Sequence, residues 1–222
     1  MKKSILTFVL AIIACTINAQ TSHFELGIEG GPNVSNYSSY PTYSGSSPFA
    51  SVSYQPLYAF SIGASCEYSI TDRFSLKSGL AYEQKGAVSV ITFNNNNGVS
   101  YGTEKAPIIT ENLIVPVFAK YYFGNIYRFF VNGGPYFGYL LKATYDDLFF
   151  PGSRSVITGN LKRFDVGAAI GIGISRKIGE KFKIELEARY NYGLISTFLN
   201  SGNPLYDRNV SGNLLLGLGY RL

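Results

Sequence analysis

Apolar and polar side chains alternate with almost no interruption through the stretch from Lys181 to Leu222. A period of two predicts β-strands whose two faces meet different surroundings. The first apolar run is longer than the usual strand of about five or six residues. It suits the roughly 9 to 11 residues with which a tilted strand crosses a bilayer. The apolar positions are Phe182, Ile184, Leu186, Ala188, Tyr190, Tyr192 and Leu194, and the polar ones are Lys181, Lys183, Glu185, Glu187, Arg189 and Asn191.

The same alternation predicts eight strands in the whole chain. They cover residues 23–36, 57–71, 73–92, 111–124, 126–143, 162–176, 181–195 and 209–222. One face of the second strand carries Tyr58, Phe60, Ile62, Ala64, Cys66, Tyr68 and Ile70. Its other face is small or polar throughout, so this strand is two-sided in the same way as the seventh.

Short and long connections between these strands strictly alternate. The short ones are Thr71–Arg73, Gly124–Asn125 and Lys177–Glu180. The long ones, Ser38–Pro56, Asn94–Thr110, Thr144–Leu161 and Ser196–Arg208, are rich in Ser, Asn, Gly, Tyr and Pro. In an up-and-down barrel this alternation places every short turn at one end and every long loop at the other, as in the periplasmic turns and extracellular loops of outer-membrane barrels.

The sequence therefore predicts an all-β fold, an eight-stranded antiparallel up-and-down transmembrane β-barrel with short periplasmic turns and long extracellular loops. The ring has to close because an open sheet in hydrocarbon would leave backbone groups without partners. A soluble sandwich shares the composition, with 46% hydrophobic and 15% aromatic residues, but the loop lengths argue against it. No apolar run beyond the first 20 residues approaches the ~18 residues of a transmembrane helix.

Charged side chains are predicted to fill the barrel, because eight closed strands leave an interior that only side chains can occupy. Equal numbers of acidic and basic inward residues predict paired networks, since an unpaired buried charge costs several kcal/mol. A polar conduit or proton path is the alternative, and no steady conductance is expected. The charged inward set is Glu25, Glu29, Glu67, Lys77, Glu83, Lys85, Lys120, Lys142, Asp165, Lys183, Glu185, Glu187, Arg189 and Arg221. Glycines that leave room for them are Gly27, Gly31, Gly63, Gly79, Gly134, Gly138, Gly167, Gly171, Gly173 and Gly217.

Residues 1–20 have the basic, apolar and small-residue regions of a secretory signal peptide. We expect them to be removed, leaving residues 21–222 as the barrel domain. An alternative is a lipobox in which Cys15 is acylated. Residues 21–222 contain 17 basic and 14 acidic residues, which gives no indication of nucleic-acid binding. Their one cysteine, Cys66, cannot form an internal disulfide.

Aromatic residues near the strand ends fit an interfacial girdle on the periplasmic side. Ordinary core aromatics are the simpler alternative. The residues concerned are Phe24, Phe74, Tyr121, Phe123, Tyr127, Phe129 and Tyr220.

No residues are predicted to be catalytic, to bind a cofactor or to bind a metal, and the protein is not expected to be an enzyme. The one histidine, His23, is placed at the turn end, so no Ser-His-Asp or Cys-His set can be assembled. Glu185 and Glu187 have a spacing that acid–base catalysis uses. Their neighbours Lys183 and Arg189 indicate charge pairing instead.

Three loop or glycine patterns have similarly plain interpretations. Asp146 and Asp147 are the adjacent carboxylates of the third long loop, and a solvated pair is favoured over a cation site. The stretch Gly167–Gly173 precedes no helix, so its glycines fit a strand and not a dinucleotide loop. The polar run Asn94–Gly98 is a loop tip that is able to touch a partner or a glycan.

Seven segments stand in order along nearly all of the chain after residue 20 and leave the long loops out. They are Leu26–Ser35, Asp72–Gly86, Asn112–Phe123, Gly133–Tyr139, Phe164–Gly167, Ala188–Leu194 and Leu216–Arg221. In these segments the chain resembles the PorT-type outer-membrane β-barrel proteins of Gram-negative bacteria, the outer membrane protein beta-barrel domain family. The resemblance implies insertion by the outer-membrane assembly machinery, and the member that gives the type its name is implicated in protein secretion and gliding.

We therefore expect an integral protein of the cell outer membrane with a filled lumen. Its role is expected to be structural or adhesive, or accessory to protein secretion, through the extracellular loops. Expected partners are outer-membrane lipid and lipopolysaccharide, the assembly machinery, and a secretion-complex or surface protein, but not nucleic acid. A small-molecule binding or transport barrel is the alternative, and a membrane-embedded hydrolase or acyltransferase is a third.

Overall fold

The computed structural model describes residues 23–38, 43–44, 50–95, 99–146, 153–199 and 208–222. The predicted signal peptide, with Cys15, lies outside these residues. One short 3-10 helix, Thr158–Asn160, is present, and no helix among the described residues has the length and apolarity for a membrane crossing. The strands are β1 (Phe24–Ser38), β2 (Tyr43–Ser44), β3 (Ala50–Ser69), β4 (Phe74–Asn94), β5 (Ser100–Phe123), β6 (Arg128–Asp146), β7 (Arg154–Val156), β8 (Phe164–Ile178), β9 (Phe182–Gly193) and β10 (Arg208–Arg221).

Eight of these strands form a closed antiparallel ring, which confirms the predicted fold. Each pairs with its neighbours along the chain, and β1 closes the ring because it pairs with β10 on one side and with β3 on the other. The two short strands β2 and β7 extend β3 and β6 outside the ring. Every strand of the ring therefore has two partners for its backbone groups, which an apolar solvent requires.

Three short turns gather at one end of the barrel, as predicted, and we call this the turn end. They connect β3 to β4, β5 to β6 and β8 to β9. Gly124 (φ 87°) and Gly179 (φ 66°) adopt the left-handed conformation that these tight turns need and that glycine adopts without strain. The described ends of the chain meet there too, because the Leu222 N–H donates to the Phe24 carbonyl at 3.1 Å.

The opposite end, which we call the loop end, contains more strand than was predicted, including β2 and β7 inside two of the predicted long loops. Residues 100–110 were expected in a long loop, but they belong to β5, which pairs with β4 as far as Asn94 and Ser100. Residues 50–56 likewise belong to β3 and not to the first long loop. Backbone pairing of β3, β4 and β5 continues past the segments whose alternating side chains indicate the bilayer. A sheet of these three strands therefore projects from the loop end.

The outer wall is apolar, as the alternation predicts. In β9 the side chains of Phe182, Ile184, Leu186 and Tyr190 are exposed, whereas Lys183, Glu185, Glu187 and Arg189 are buried. Tyr121, Phe123, Tyr127, Phe129 and Tyr220 are exposed at the turn end, so they are not core aromatics, and the girdle there stays a prediction. Phe24 and Phe74 are half-buried there.

Aromatic rings share the interior with the charges, which the alternation analysis did not predict. Phe118, Phe130 and Tyr136 are among the largest fully buried side chains. Inward glycines on the facing strand make room for two of them. A side chain added at Gly167 would overlap the Tyr136 ring, and one added at Gly173 would overlap Phe130.

Candidate functional site

The lumen nearest the turn end is occupied by a lysine that three carboxylates surround. The Lys183 ammonium lies 2.5 Å from Glu25, 3.0 Å from Glu67 and 2.9 Å from Glu185. These residues come from β9, β1 and β3, and alternation turns all of them inward. Carboxylate oxygens of the three glutamates lie within 4.8 Å of one another, a spacing that also suits a metal ion. Because Lys183 already supplies a cation there, the arrangement is that of an ion-pair cluster.

A second buried lysine lies on the other side of the same carboxylates. Lys120, on β5, is fully buried, and its ammonium lies 2.6 Å from Glu185 and 3.2 Å from Glu67. It also lies 3.9 Å from the centre of the Phe130 ring, a cation–π contact. The Tyr122 hydroxyl donates to Glu67 at 2.7 Å. Glu67 therefore has two cations, Lys120 and Lys183, and Glu185 has a third, Lys77 at 3.6 Å, which compensates their loss of hydration.

The middle of the lumen continues the network with Lys77 and Arg189. The Lys77 ammonium lies 2.6 Å from Glu29, and the Arg189 guanidinium lies 2.6 Å from Glu187 and 3.1 Å from Glu29. The Asn132 side chain also donates to Glu187, at 3.0 Å. The predicted pairing of Glu185 and Glu187 with cations is thus confirmed.

Hydrogen bonds to neutral groups dominate nearer the loop end. Glu83 accepts from Ser211 at 2.9 Å and from Asn213 at 3.2 Å. The Tyr136 hydroxyl donates to Asp165 at 3.3 Å. Lys85 is buried 3.7 Å from Glu83, so Glu83 is paired with a cation, whereas Asp165 accepts from the neutral Tyr136 hydroxyl.

An apolar plug closes the loop end, which we call the loop-end cap: Leu140, Ala143, Ile157, Leu161 and Phe198. Leu161 and Phe198 form an isolated bridge between two loops. Backbone bonds hold the bridge: the Lys162 N–H donates to Thr197 at 2.8 Å, and the Leu199 N–H donates to Asn160 at 3.1 Å. Leu140 and Ala143 belong to β6, but Ile157, Leu161 and Phe198 are loop residues with no strand periodicity, so alternation gave no sign of this cap.

Two spaces between lumen side chains are small. One lies in the Glu25–Glu67 region and one beside Asn112 and Asp165, and each has a volume of about 10 Å³. Such a space holds about one water molecule. Larger hollows of about 580 and 380 Å³ lie between lipid-facing side chains on the outer wall, such as Tyr58 and Leu214 in one and Ile62 and Leu216 in the other.

The structure corrects one member of the predicted inward set and adds another. Lys142 is exposed, because an irregularity in the pairing of β5 with β6 sets it opposite Glu111 and sets Leu140 opposite Asn112. The extra residue between them reverses the alternation. Arg128 was missed, and its guanidinium lies inward, 4.2 Å from the centre of the Tyr122 ring. The other predicted charges are buried or half-buried as expected.

The remaining candidates have ordinary surroundings. His23 is exposed, at the turn end, with its ring 6.1 Å from that of Tyr68. Asp146 accepts from Arg154 at 2.7 Å, and this hydrogen bond and the aspartate charge raise the pKa of the Arg154 guanidinium. Its predicted companion Asp147 lies outside the described residues, as does most of the run Asn94–Gly98. The glycines of Gly167–Gly173 lie on β8, as predicted.

Comparison with known proteins gives a family match and a set of similar folds. The model of a family described as "Outer membrane protein beta-barrel domain" matches residues 18–199. Neisserial surface protein A, from Neisseria, is 14% identical, with 91% of this chain and 98% of that one covered and a TM-score of 0.50. OprG from Pseudomonas aeruginosa is 12% identical, with 90% and 96% covered and a TM-score of 0.46. Ail from Yersinia pestis, in complex with the heparin analogue sucrose octasulfate, is 15% identical, with 90% and 99% covered and a TM-score of 0.44. No curated protein matches.

Proposed function

Because this chain belongs to the outer membrane protein beta-barrel domain family and is a protein of the cell outer membrane, we propose that it acts there through its extracellular surface and not through its lumen. Short turns of outer-membrane barrels face the periplasm and long loops face outward. The loop end, with the projecting sheet of β3, β4 and β5, is therefore the extracellular side. The role that we propose is structural or adhesive, or accessory to protein secretion.

The observation that carries this proposal is the filled lumen. Charged layers around Lys183, Lys120 and Arg189 are paired, and the loop-end cap covers them. The two lumen spaces of about 10 Å³ are far smaller than the ~300–1,000 Å³ of ordinary ligand pockets. These features count against the small-molecule transport alternative, and the paired carboxylates support a protein that is not an enzyme.

The projecting sheet offers the surface on which a partner would bind. Thr103, Glu104 and Lys105 are exposed near the tip of the β4–β5 hairpin. Charged side chains on such a strand discourage indiscriminate edge pairing while leaving polar contacts available. A PorT-type role beside a secretion complex is the finer form of the proposal, and the seven family-like segments support it. Lipid, lipopolysaccharide and the assembly machinery remain the predicted general partners.

A shortened hairpin tests whether the extracellular surface is responsible. Val90 pairs with Lys105, so residues 91–104 can be replaced by an Asn-Gly turn that suits a two-residue hairpin. Crosslinking in intact cells, followed by purification and mass spectrometry, compares the partners of the two forms. We expect the full-length protein to capture a defined surface or secretion protein and the shortened form to lose it, while both keep heat-modifiable migration on a denaturing gel. Identical partner sets for the two forms would contradict the proposal.

A further inference from the structure

Positive charge is concentrated at the turn end, which faces the periplasm. Six basic side chains lie there against two acidic ones, Asp72 and Glu180. This excess of four exceeds the excess of three for residues 21–222 as a whole, where 17 basic residues face 14 acidic ones. The rest of the barrel is therefore slightly negative, and its positive charge lies on one rim. The six basic residues are Arg73, Arg128, Arg176, Lys177, Lys181 and Arg221.

Three of these cations point into the opening, and we call Arg128, Lys177 and Arg221 the basic mouth. They share the inward alternation of buried neighbours such as Phe130 and Ser175. They lie on β6, β8 and β10, which are separated only by β9 along the wall. With about 4.8 Å between neighbouring strands, the arc from β6 to β10 measures roughly 14 Å.

The ion pairs among the described residues, within 4.0 Å, include none of these three cations. Arg128 instead lies over the Tyr122 ring and donates to the Asp72 carbonyl. The charges of Arg221, Arg128 and Lys183 repel that of Lys177, and the charge of Glu25 attracts it. The acidic neighbour of the mouth, Glu25, is held by Lys183.

The network above the mouth does not neutralise it. Five carboxylates there, Glu25, Glu29, Glu67, Glu185 and Glu187, face four cations, Lys77, Lys120, Lys183 and Arg189. The surplus is one negative charge, so about two of the three charges of the basic mouth stay uncompensated. A concave surface lined by one sign of charge concentrates its field and attracts the opposite charge.

We propose that the basic mouth is a docking site for an acidic polypeptide segment of a periplasmic protein. Their inward alternation puts the barrel wall between these side chains and the bilayer, which favours a polypeptide over lipid headgroups as the ligand. The outward-facing cations Arg176 and Lys181 instead lie over the rings of Tyr127 and Tyr220, aromatic residues of the kind found at the level of the lipid headgroups. An arc of about 14 Å suits several carboxylates in sequence, since alternate side chains of an extended chain are about 7 Å apart. This inference depends on the orientation of the barrel and not on its extracellular role.

The test uses the whole protein in nanodiscs of zwitterionic phosphatidylcholine and a fluorescein-labelled hexaglutamate peptide, with binding followed by anisotropy. We expect saturable binding. The affinity should fall as salt rises from 50 to 200 mM, because salt screens interactions between exposed charges. The variant Arg128→Gln/Lys177→Gln/Arg221→Gln should bind at least about tenfold more weakly, which corresponds to 1.4 kcal/mol or more. The matched control Lys142→Gln/Arg154→Gln/Lys162→Gln removes the same charge at the loop end and should stay within about twofold of the wild type.

Three results would overturn the proposal. Equal weakening in both triple variants would mean that net charge alone attracts the peptide. Absence of saturable binding by the wild-type protein would remove the site. A triple variant that loses affinity only for vesicles containing phosphatidylglycerol would assign these cations to lipid. If the mouth triple variant does not show heat-modifiable migration, Lys177→Glu alone serves instead, because that side chain is exposed, and it should weaken peptide binding at least about threefold.

Discussion

The ammonium group of Lys120 lies 2.6 Å from a carboxylate oxygen of Glu185, and both side chains are shielded from solvent. Both charges have lost nearly all contact with bulk water, so their pairing is a condition of the fold. We expect Lys120→Met to destabilise the barrel by about 3–5 kcal/mol, because it leaves Glu185 and Glu67 short of a buried cation. Urea unfolding in lipid vesicles measures this. Lys181→Met, at the exposed rim, should cost no more than about 0.5 kcal/mol, and a loss that small at Lys120 would contradict the network.

The contact between Gly167 and the Tyr136 ring gives a test of interior packing. Gly167→Ala places a methyl group in the space of the ring, and we expect a loss of about 1–3 kcal/mol in the free energy of unfolding. In a Tyr136→Leu background the same change should cost less, since the shorter side chain gives way. Gly102→Ala, where nothing lies within 4 Å, is the control. Equal costs in both backgrounds would show that the ring is not the obstacle.

The exposure of Lys142 allows the orientation of the barrel to be measured. In a Cys66→Ala background, we expect Lys142→Cys to react with a membrane-impermeant maleimide in intact cells. Lys181→Cys, at the turn end, should react only after the outer membrane is permeabilised. Lys85→Cys should react in neither case, because Lys85 is 1% exposed. Labelling of Lys181→Cys in intact cells would reverse the orientation.

The filled lumen predicts that the purified protein carries no steady current in a planar bilayer. Barrels with wide aqueous channels have about 16 or more strands, twice the number found here. Single-channel recording over a range of voltages is the measurement. Large, stable openings by the wild-type protein would contradict both the packing of the network and the role that we propose.

Alternation in the sequence predicted the strands correctly wherever lipid lies on one side of the wall and charges lie on the other. For β9 it predicted residues 181–195, and the strand runs from Phe182 to Gly193. It missed the start of β5 by eleven residues, since that strand begins at Ser100 and was expected at residue 111. Beyond the bilayer neither face contacts lipid, so Thr103, Glu104 and Lys105 follow no period of two.

The sequence predicted the kind of site, a network of paired charges in the lumen, but not every residue of that network. Inward charges were expected from alternation, and Lys183, Lys120 and Glu185 are paired as anticipated. Lys142 was placed on the wrong side, because one extra residue in a strand reverses every position beyond it and leaves no mark in the composition. The bridge between Leu161 and Phe198 joins loops far apart in the chain, and no local pattern specifies such a contact.

The pairing of β1 with both β10 and β3 means that the first and last strands of the described wall hold each other in place. Removing any one strand would leave two rows of backbone donors and acceptors without partners, because the hydrocarbon of the bilayer forms no hydrogen bonds with them. Intermediate assemblies with six or seven strands thus have no stable place in the bilayer. Insertion is expected to be all-or-none. Loss of the pairing between any two neighbouring strands is expected to unfold the whole barrel.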